Sequence, residues 1–455
     1  MNVNRKQVCP EFLLRAGLSV SMAFFLSCAK SGSDDLSTLA LVSPTSSASS
    51  CAAYSWSLPA GIPTPAVPAS NCQTAEKVAL GRMLFYDKQL SGNGTQSCAS
   101  CHRQEFAFTD RKSRAVGSTG QLHKRNAQHL SNVAYLTFLN WANSAVDNLE
   151  LQAAAPLFLE FAPDHGTIVE LGFPQSEIHD RFASHSLYNE RFQAAFPGEP
   201  DPYTEQNIRM ALAAFQRTLM SFDSPYDRFT RGDSAALTAA QKRGLEVFNN
   251  EKGECFHCHG GFNFTDTTFH SGSTQVESAF HNNGFYSEND FANSLNQPGE
   301  RGLLDLTGES TDEGRFRAPS LRNVGVTFPY LHDGSVDCTP PRNASEVWSE
   351  FNAAVDVTSC GADDDARARF MLMMIVEHYR SGAQHYPDRT ADGNATGTSR
   401  TVHSQVDTAN FPRAGVITQQ DAQDLVEFLM SLTDDSFLTD PAHSNPLPAD
   451  SRFGP

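Results

Sequence analysis

The sequence has little positive charge and no long apolar run after its N-terminus. Of its 455 residues, 34 are Lys or Arg and 52 are Asp or Glu, which gives a formal net charge of −18. Because the basic residues form no cluster, we expect no nucleic-acid partner. A membrane-spanning helix needs about 18 consecutive apolar residues, and the chain beyond its N-terminus has no such run. The hydrophobic content of 40% indicates a globular protein.

The N-terminus has the pattern of a targeting segment. Basic residues precede a short apolar stretch at 16–27, which is followed by Cys28. The stretch is too short to cross a membrane and is typical of a secretory signal. Its end resembles the cleavage box of a bacterial lipoprotein. We therefore expect 1–27 to be a lipoprotein-type signal peptide, with export to the periplasm and a lipid anchor on Cys28 as the only membrane attachment.

Two motifs carry the chemistry of the chain: Cys98-Ala99-Ser100-Cys101-His102 and Cys255-Phe256-His257-Cys258-His259. Two thiols three residues apart fit one helical turn and can bond the two vinyl groups of one porphyrin. The histidine that follows can bind the iron. A zinc ribbon or a redox dithiol also uses cysteine pairs, but neither requires a histidine directly after each pair. The sequence predicts two covalently bound haem c groups.

Four further cysteines lie outside the haem motifs and the N-terminal segment. In an oxidising compartment they pair most simply as Cys51–Cys72 and Cys338–Cys360, each closing a local loop. The sequence leaves the other pairings open.

Apolar spacing favours helices over strands along the whole chain. Helical patterns begin at Glu76 and recur at 146–160, 178–196, 208–219 and 237–248. The order helix, haem motif, loop, helix occurs twice. We predict a mainly all-α fold with two tandem cytochrome c-like haem domains. The segments are a signal (1–27), a Ser/Thr/Pro-rich tether (28–72), an N-terminal haem domain (73–235), a C-terminal haem domain (236–440) with an inserted loop (336–370), and a tail (441–455).

Three ordered blocks connect the chain to a known family. The first runs from Leu80-Gly81-Arg82 to Phe108-Thr109-Asp110, the second from Cys255 to Phe264-Thr265-Asp266, and the third from Phe316-Arg317-Ala318-Pro319 to His332-Asp333-Gly334. Over roughly 76–440 the chain resembles the bacterial dihaem cytochrome c peroxidase superfamily, and most closely its MauG- and MbnH-like branch.

The resemblance implies two haems with different roles. One haem binds and cleaves hydrogen peroxide, and the other stores or relays oxidising equivalents as high-valent haem. A tryptophan lies between the haems in this family, and Trp141 is at the matching place. An indole can carry an electron hole, although a core aromatic is the simpler interpretation of Trp141.

The resemblance also implies which side chains assist peroxide cleavage. Gln152 matches a glutamine of the family, and Glu170 matches its general acid–base. Because Glu170 lies farther from Gln152 than the family pattern suggests, Glu160 and Asp164 remain alternatives. A histidine that blocks the first iron in switchable peroxidases has no match, since His123 and His129 lie elsewhere in the loop. We therefore expect a permanently open iron.

The distal ligand of the second haem is expected after the inserted loop. MauG-like members use a tyrosine there and ordinary peroxidases a methionine, and Tyr379 matches the tyrosine. Phenolate ligation favours oxidised iron. The alternatives are His378 and a group of methionines, Met371, Met373 and Met374, which at helical spacing are more typical of a core.

A calcium ion between the haems is a further property of the family. Asn126 matches its side-chain ligand, and Thr327 and Pro329 match its carbonyl ligands. Oxygen donors suit calcium. Ordinary turn residues are the alternative interpretation of all three.

The sequence thus predicts a peroxide-dependent oxidoreductase of the periplasm. Its expected partner is a redox or substrate protein, and the resemblance suggests a Trp residue on a copper-binding protein as the substrate. Two alternatives stay open. One is a cytochrome c peroxidase that reduces hydrogen peroxide to water with electrons from a small redox protein. The other is a non-enzymatic dihaem electron carrier.

Overall fold

The chain folds mainly into helices joined by long irregular connections. A computed structural model describes residues 51, 54–158, 160–161, 168–169, 171–274, 280–286, 300–337, 360, 362–383 and 402–448. All of them belong to one compact unit, Ser50–Pro455. The α-helices of the described residues are α1 (Ala75–Tyr86), α2 (Cys98–Cys101), α3 (Leu149–Phe158), α4 (Ser186–Ala195), α5 (Glu205–Gln216), α6 (Pro225–Thr230), α7 (Ala239–Phe248), α8 (Cys255–His259), α9 (Leu304–Thr307), α10 (Asp364–Arg380), α11 (Gln419–Met430) and α12 (Asp435–Thr439).

Strands are few and very short among the described residues. β1 (Glu160–Phe161) pairs with β2 (Ile168–Val169), and β3 (Phe280–His281) pairs with β4 (Phe316–Arg317), both antiparallel. Two-residue strands add little stability of their own, so helix packing determines the fold. The prediction of a helix-rich chain is confirmed.

The longer helices begin at side chains that satisfy their first backbone N–H groups. The side-chain oxygens of Thr74, Thr204, Thr238, Asp363 and Thr418 each accept a hydrogen bond from the backbone N–H three residues ahead. Such N-caps typically contribute about 1 kcal/mol each. These N-cap residues therefore determine where α1, α5, α7, α10 and α11 begin.

The helix before each haem motif crosses a later helix at a glycine. Gly81 of α1 lies against α5, where a Cβ atom on Gly81 would be 1.9 Å from the carbonyl oxygen of Ala211. Gly244 of α7 lies against α11, where a Cβ atom would be 1.9 Å from the carbonyl oxygen of Asp424. Only a residue without a Cβ atom allows backbones this close. The repeat of helix and haem motif in the sequence is thus matched by a repeated helix crossing.

Buried apolar side chains form separate clusters around these two crossings. One cluster contains Leu80, Leu84 and Phe85 of α1 together with residues of α3, α4 and α5. Another contains Val247 and Phe248 of α7 together with residues of α10 and α11. A smaller third cluster surrounds Met371 and Met374 of α10. Each haem motif therefore follows a helix that is anchored in its own cluster.

Several predicted boundaries differ from the observed ones. The helix expected at 178–196 is interrupted, because a π-helical turn at His179–Ala183 precedes α4. α10 begins at Asp364, inside the range assigned to the inserted loop. The helical pattern of α11 went unrecognised in the sequence. Most of the inserted loop lies outside the described residues.

The disulfide predictions are answered in part. Cys51 and Cys72 form a disulfide, as predicted. Cys360 is disulfide-bonded, while Cys338 lies outside the described residues. The predicted signal segment and Cys28 also lie outside them. No helix in the described parts of the chain is long and apolar enough to cross a membrane.

Candidate haem sites

The first haem motif forms a single helical turn that ends at the predicted iron ligand. Cys98 and Cys101 are the first and last residues of α2, and Ser97 and Ser100 close a capping box around its start. His102 follows, with its Nδ1 atom 2.7 Å from the carbonyl oxygen of Phe108. A histidine that donates through Nδ1 presents Nε2 to a metal. The turn therefore places both thiols and an oriented imidazole next to one another.

The second motif has the same construction. Cys255 and Cys258 lie on α8, and the Nδ1 atom of His259 lies 3.2 Å from the carbonyl oxygen of Phe264. Burial lowers the pKa of His259. This favours the neutral imidazole, which is the form that binds iron. None of the four motif cysteines is in a disulfide, so all four thiols can form thioether bonds.

A large cavity adjoins the first motif. Its volume is about 770 Å³, and Cys98, Cys101 and His102 form part of its wall. Most of the remaining wall is apolar, with leucine, valine and alanine side chains from α3 and the preceding loop. The cavity is large enough for a porphyrin and apolar enough to hold one. These residues fit a covalently bound haem.

Two predicted catalytic residues lie in the wall of this cavity. Trp141 and Gln152 both line it, together with His102. The side-chain oxygen of Gln152 is buried and has no hydrogen-bond partner in the described part of the chain. A buried amide oxygen normally requires a partner. We therefore expect the Gln152 oxygen to accept a hydrogen bond from a ligand in the cavity.

Trp141 is held by contacts that fix the plane of its indole. Its Nε1 atom donates to the carbonyl oxygen of Asn126 at 3.2 Å, and the residue is 9% exposed. The guanidinium of Arg317 lies 5.9 Å from the ring centroid, and the Arg317 backbone N–H donates to the Trp141 carbonyl oxygen at 2.7 Å. The indole thus lies between the first cavity and the β4 segment.

The candidate acids are only partly covered by the structure. Glu170 and Asp164 lie outside the described residues. Glu160 is in β1, where its backbone pairs with Val169, and its side chain is not described. The choice of Glu170 over Glu160 and Asp164 therefore stays a prediction.

The two loop histidines have different surroundings. His123 lines the cavity wall. The Nε2 atom of His129 lies 2.9 Å from the carbonyl oxygen of Ser320, and burial lowers the pKa of His129 to about 4. An imidazole whose Nε2 atom donates to a backbone carbonyl cannot use that atom for iron. This contact favours a structural role for His129.

Tyr379 lies beside the second haem motif. Burial, and then the nearby thiol of Cys258, raise the pKa of Tyr379, whereas a hydrogen bond with the Asn283 side chain opposes the increase. Cys255 is also within electrostatic reach. The phenol is therefore close to the position at which the second porphyrin would be attached.

His378 and the methionines of α10, the alternatives to Tyr379 as a haem ligand, make other contacts. The Nε2 atom of His378 lies 2.9 Å from the carbonyl oxygen of Asn283, and the imidazole stacks on Phe285 with 3.8 Å between ring centroids. Met371 and Met374 are buried in the third apolar cluster, and Met373 packs against the second. These contacts favour core roles for His378 and the methionines.

Comparison with known proteins identifies the family of the chain. The family model for di-haem cytochrome c peroxidase matches residues 75–235. The methylamine utilization protein MauG of Methylorubrum extorquens is 34% identical over 269 residues, which cover 59% of this chain and 68% of that protein. The chain belongs to the dihaem cytochrome c peroxidase family. It is a peroxide-dependent oxidoreductase, and the family implies two c-type haems for its two motifs.

Other members of the dihaem cytochrome c peroxidase family are similar over comparable lengths. The cytochrome c551 peroxidase of Pseudomonas aeruginosa is 31% identical over 258 residues, covering 56% of this chain and 67% of that protein. A crystal structure of a MauG-like protein associated with microbial copper homeostasis is 37% identical, with a TM-score of 0.71. The match covers 87% of this chain and 99% of that chain.

The residues expected to bind calcium lie on the Asn126 and His332 segments, which are hydrogen-bonded to each other. The side-chain amide of Asn126 donates to the carbonyl oxygen of Lys112 at 2.7 Å, and its backbone N–H donates to the carbonyl oxygen of His332 at 2.7 Å. Thr327 and Pro329 flank Phe328 in a turn before the His332 segment. Asn126 and this segment are thus hydrogen-bonded neighbours.

A charged group beside the second motif was missed in the sequence. The Nε2 atom of His281 lies 2.6 Å from Asp266, and its Nδ1 atom lies 2.9 Å from Asp407. Burial lowers the pKa of His281, but hydrogen bonds to Asp266, Cys258 and Asp407 outweigh it and raise the pKa to about 11. Asp266 belongs to the Phe-Thr-Asp block that follows each haem motif, so it had a signal in the sequence. His281 and Asp407 belong to no such motif in the sequence.

Proposed function

We propose that this family member is a periplasmic enzyme that uses hydrogen peroxide to oxidise a residue of a partner protein. The observation that carries the proposal is the wall of the first cavity, where His102, Trp141 and Gln152 occur together. A plain electron carrier has no need for an amide oxygen that lines the cavity of the predicted iron ligand and has no hydrogen-bond partner among the described residues. The apolar wall would exclude water from the reaction.

Each residue of the first site would have a separate role in the reaction. When bound, the haem supplies the iron at which the peroxide oxygen–oxygen bond is cleaved. His102 would hold this iron through Nε2. The Gln152 amide would position peroxide, and Glu170 would move a proton from one peroxide oxygen to the other. Trp141 would pass oxidising equivalents towards the second haem, which His259 and Tyr379 would hold.

Tyrosine ligation would distinguish this enzyme from an ordinary peroxidase. Phenolate stabilises oxidised iron, and Tyr379 lies beside the second motif while the methionines of α10 pack in cores. An enzyme that retains both oxidising equivalents can act on a partner without admitting it to the cavity. We propose a Trp residue as its target, and a copper-binding protein as its carrier, because a similar structure is of a MauG-like protein associated with microbial copper homeostasis.

The finer organisation is proposed on the same basis. The glycine crossings at Gly81 and Gly244 support two tandem haem domains, 73–235 and 236–440. The hydrogen bonds of Asn126 support a calcium site completed by Thr327 and Pro329. Export and a lipid anchor at Cys28 rest on the N-terminal sequence alone.

Optical and EPR spectra of the ferric dihaem protein, before and after one equivalent of hydrogen peroxide, test the proposal. We expect one high-spin and one low-spin haem, and a long-lived change at both after peroxide. Mass spectrometry of a copper-binding candidate partner should then show oxidation of a Trp only when enzyme and peroxide are both present. Two low-spin haems that ignore peroxide would leave an electron carrier. Rapid oxidation of a reduced small cytochrome, without change to any Trp, would favour the plain peroxidase.

A further inference from the structure

A buried tyrosine in the described structure donates its proton directly to a buried carboxylate. The hydroxyl of Tyr286 lies 2.5 Å from Oδ2 of Asp333 and 2.9 Å from the hydroxyl of Ser335. Tyr286 is 5% exposed and Asp333 is 2% exposed. A charge-assisted hydrogen bond this short is strong, and burial removes water as a competing partner. The phenol therefore has a dedicated proton acceptor.

On one side, Tyr286 connects to the first haem site. Its ring meets the ring of His332 edge to face, with 5.5 Å between centroids. The carbonyl oxygen of His332 accepts a hydrogen bond from the backbone N–H of Asn126 at 2.7 Å. The carbonyl oxygen of Asn126 in turn accepts the indole N–H of Trp141 at 3.2 Å. Asn126 and Trp141 line the first cavity, so two hydrogen bonds and one ring contact join Tyr286 to its wall.

On the other side, Tyr286 connects to the second haem site. The preceding residue, Phe285, places its ring 6.3 Å from the ring of Tyr379. Tyr379 lies within electrostatic reach of the thiols of Cys258 and Cys255. These contacts connect Tyr286 to the cavity of the first haem and to the attachment point of the second. Oxidising equivalents could therefore reach Tyr286 without the indole of Trp141 contacting both haems.

We propose that Tyr286 is a redox-active residue that transiently holds one of the two oxidising equivalents delivered by peroxide. Its phenol would lose one electron to the peroxide-oxidised haem centre and one proton to Asp333, leaving a neutral tyrosyl radical beside a protonated carboxyl. One electron from a reductant or a partner protein, with return of the proton from Asp333, would restore the phenol. No atom is gained or lost in this cycle, and the only oxidant is hydrogen peroxide.

The hydrogen bond to Asp333 makes Tyr286 suitable for one-electron oxidation. Oxidation of a phenol greatly increases its acidity, so electron loss is favourable only where the proton can leave at once. A carboxylate within hydrogen-bond distance meets this need. The phenols of Tyr135 and of the partly buried Tyr330 donate to backbone carbonyls, of Pro63 at 2.7 Å and of Val324 at 2.8 Å. A backbone carbonyl is a poor proton acceptor, and these two tyrosines lack that advantage.

A second tyrosine provides a matched control. Tyr188 donates to Oδ2 of Asp87 at 2.5 Å and is equally buried, but its ring packs on Phe182 and Phe192 of the N-terminal cluster. It has the same type of proton acceptor, and its ring contacts with Phe182 and Phe192 stay within the N-terminal cluster. Comparison of the two tyrosines therefore separates the effect of position from that of the hydrogen bond.

The test is freeze-quench EPR of the full dihaem protein after one equivalent of hydrogen peroxide, with ordinary and with ring-deuterated tyrosine. We expect a radical signal that narrows on deuteration, disappears in Tyr286→Phe and remains in Tyr188→Phe. Asp333→Asn should reduce the signal several-fold. If the haem absorbance changes on addition of peroxide, absence of a tyrosyl signal in the wild-type protein overturns the proposal whether or not the variants fold. A signal that survives in a folded Tyr286→Phe also overturns it.

The inference rests on the peroxide reaction, and the two can fail separately. Haem absorbance recorded on the same samples shows whether peroxide reacts at all. Flash oxidation with a photo-excited ruthenium tris-bipyridine complex bypasses peroxide and should also produce a tyrosyl radical that is lost in Tyr286→Phe. If the haems ignore peroxide but this radical forms, the function is wrong and Tyr286 is redox-active. If peroxide reacts and neither route gives a Tyr286 radical, the inference is wrong and the function stands.

Discussion

The Nδ1 atom of His102 lies 2.7 Å from the carbonyl oxygen of Phe108, six residues later in the chain. His259 repeats this arrangement with Phe264. Both phenylalanines have positive φ angles, 65° and 51°, which turn their carbonyls back towards the motif. Non-glycine residues adopt this conformation only where the surroundings compensate its cost. The hydrogen bond to the ligand histidine is part of that compensation.

Removal of the His102 imidazole should abolish the peroxide reaction and leave the haem attached. His102→Gly keeps the thiols of Cys98 and Cys101, so two covalent haems should still be counted by mass. The open axial position should bind added imidazole and recover part of the peroxide-dependent change in absorbance. Full reactivity of His102→Gly without imidazole would contradict the assignment. His259→Gly is the matched variant and should change the spectrum of the other haem.

Replacement of Trp141 should separate the two haems electronically with little loss of stability. Trp141→Phe retains an aromatic ring in the wall but removes the N–H that donates to Asn126. Peroxide should still react at the first site, while the spectral change at the second haem should become at least tenfold slower. Stopped-flow absorbance at wavelengths specific to each haem measures both steps. Equal rates at both haems in Trp141→Phe would favour a core role for the indole.

The general acid–base should be revealed by its effect on rate. Glu170→Gln keeps the shape of the side chain and removes its ability to move a proton. We expect the second-order rate constant for peroxide to fall by about 10²–10⁴-fold, the usual contribution of such a group. Glu160→Gln and Asp164→Asn are matched controls and should stay within about threefold of the wild type. If either control shows the large decrease instead, that residue is the acid–base and Glu170 is not.

The sequence was most informative where the chemistry is local. The haem motifs and the helix spacing of α1 depend on residues close together in the chain, and Cys51–Cys72 depends on a residue type that forms disulfides only with its own kind, so each could be predicted. His281 could not, because its partners Asp266 and Asp407 lie 15 and 126 residues away. The link from Tyr286 to Asp333 spans 47 residues and had no local signal either. Long-range polar pairs depend on how the loops fold, and loop paths are not encoded by periodicity.

Tyr379 should determine the spectrum of the second haem. Tyr379→Phe removes the phenolate oxygen and retains the ring that packs on Phe285 and Phe411. The low-spin EPR signal should convert to high-spin, or to a different low-spin signal if water binds. Tyr379→Met should raise the reduction potential and convert the enzyme towards simple peroxidase turnover. His378→Gln is the control, because His378 donates to the Asn283 carbonyl. A spectrum that changes in His378→Gln and not in Tyr379→Phe would transfer the ligand role.

Acid should destabilise the protein partly through His129. Burial lowers its pKa to about 4, with Arg317 and His102 acting in the same direction and the hydrogen bond to Ser320 opposing them. In the unfolded chain the pKa returns to about 6.5. Between these values the unfolded chain binds a proton that the folded protein does not, so stability falls as the pH decreases from about 6.5 to 4. The shift corresponds to roughly 3 kcal/mol.

Denaturant unfolding of His129→Gln against the wild type at pH 7 and pH 4.5 measures the difference. The variant should lose less stability on acidification, because the other titrating groups are common to both proteins. Identical losses would show that His129 is already protonated in the folded state.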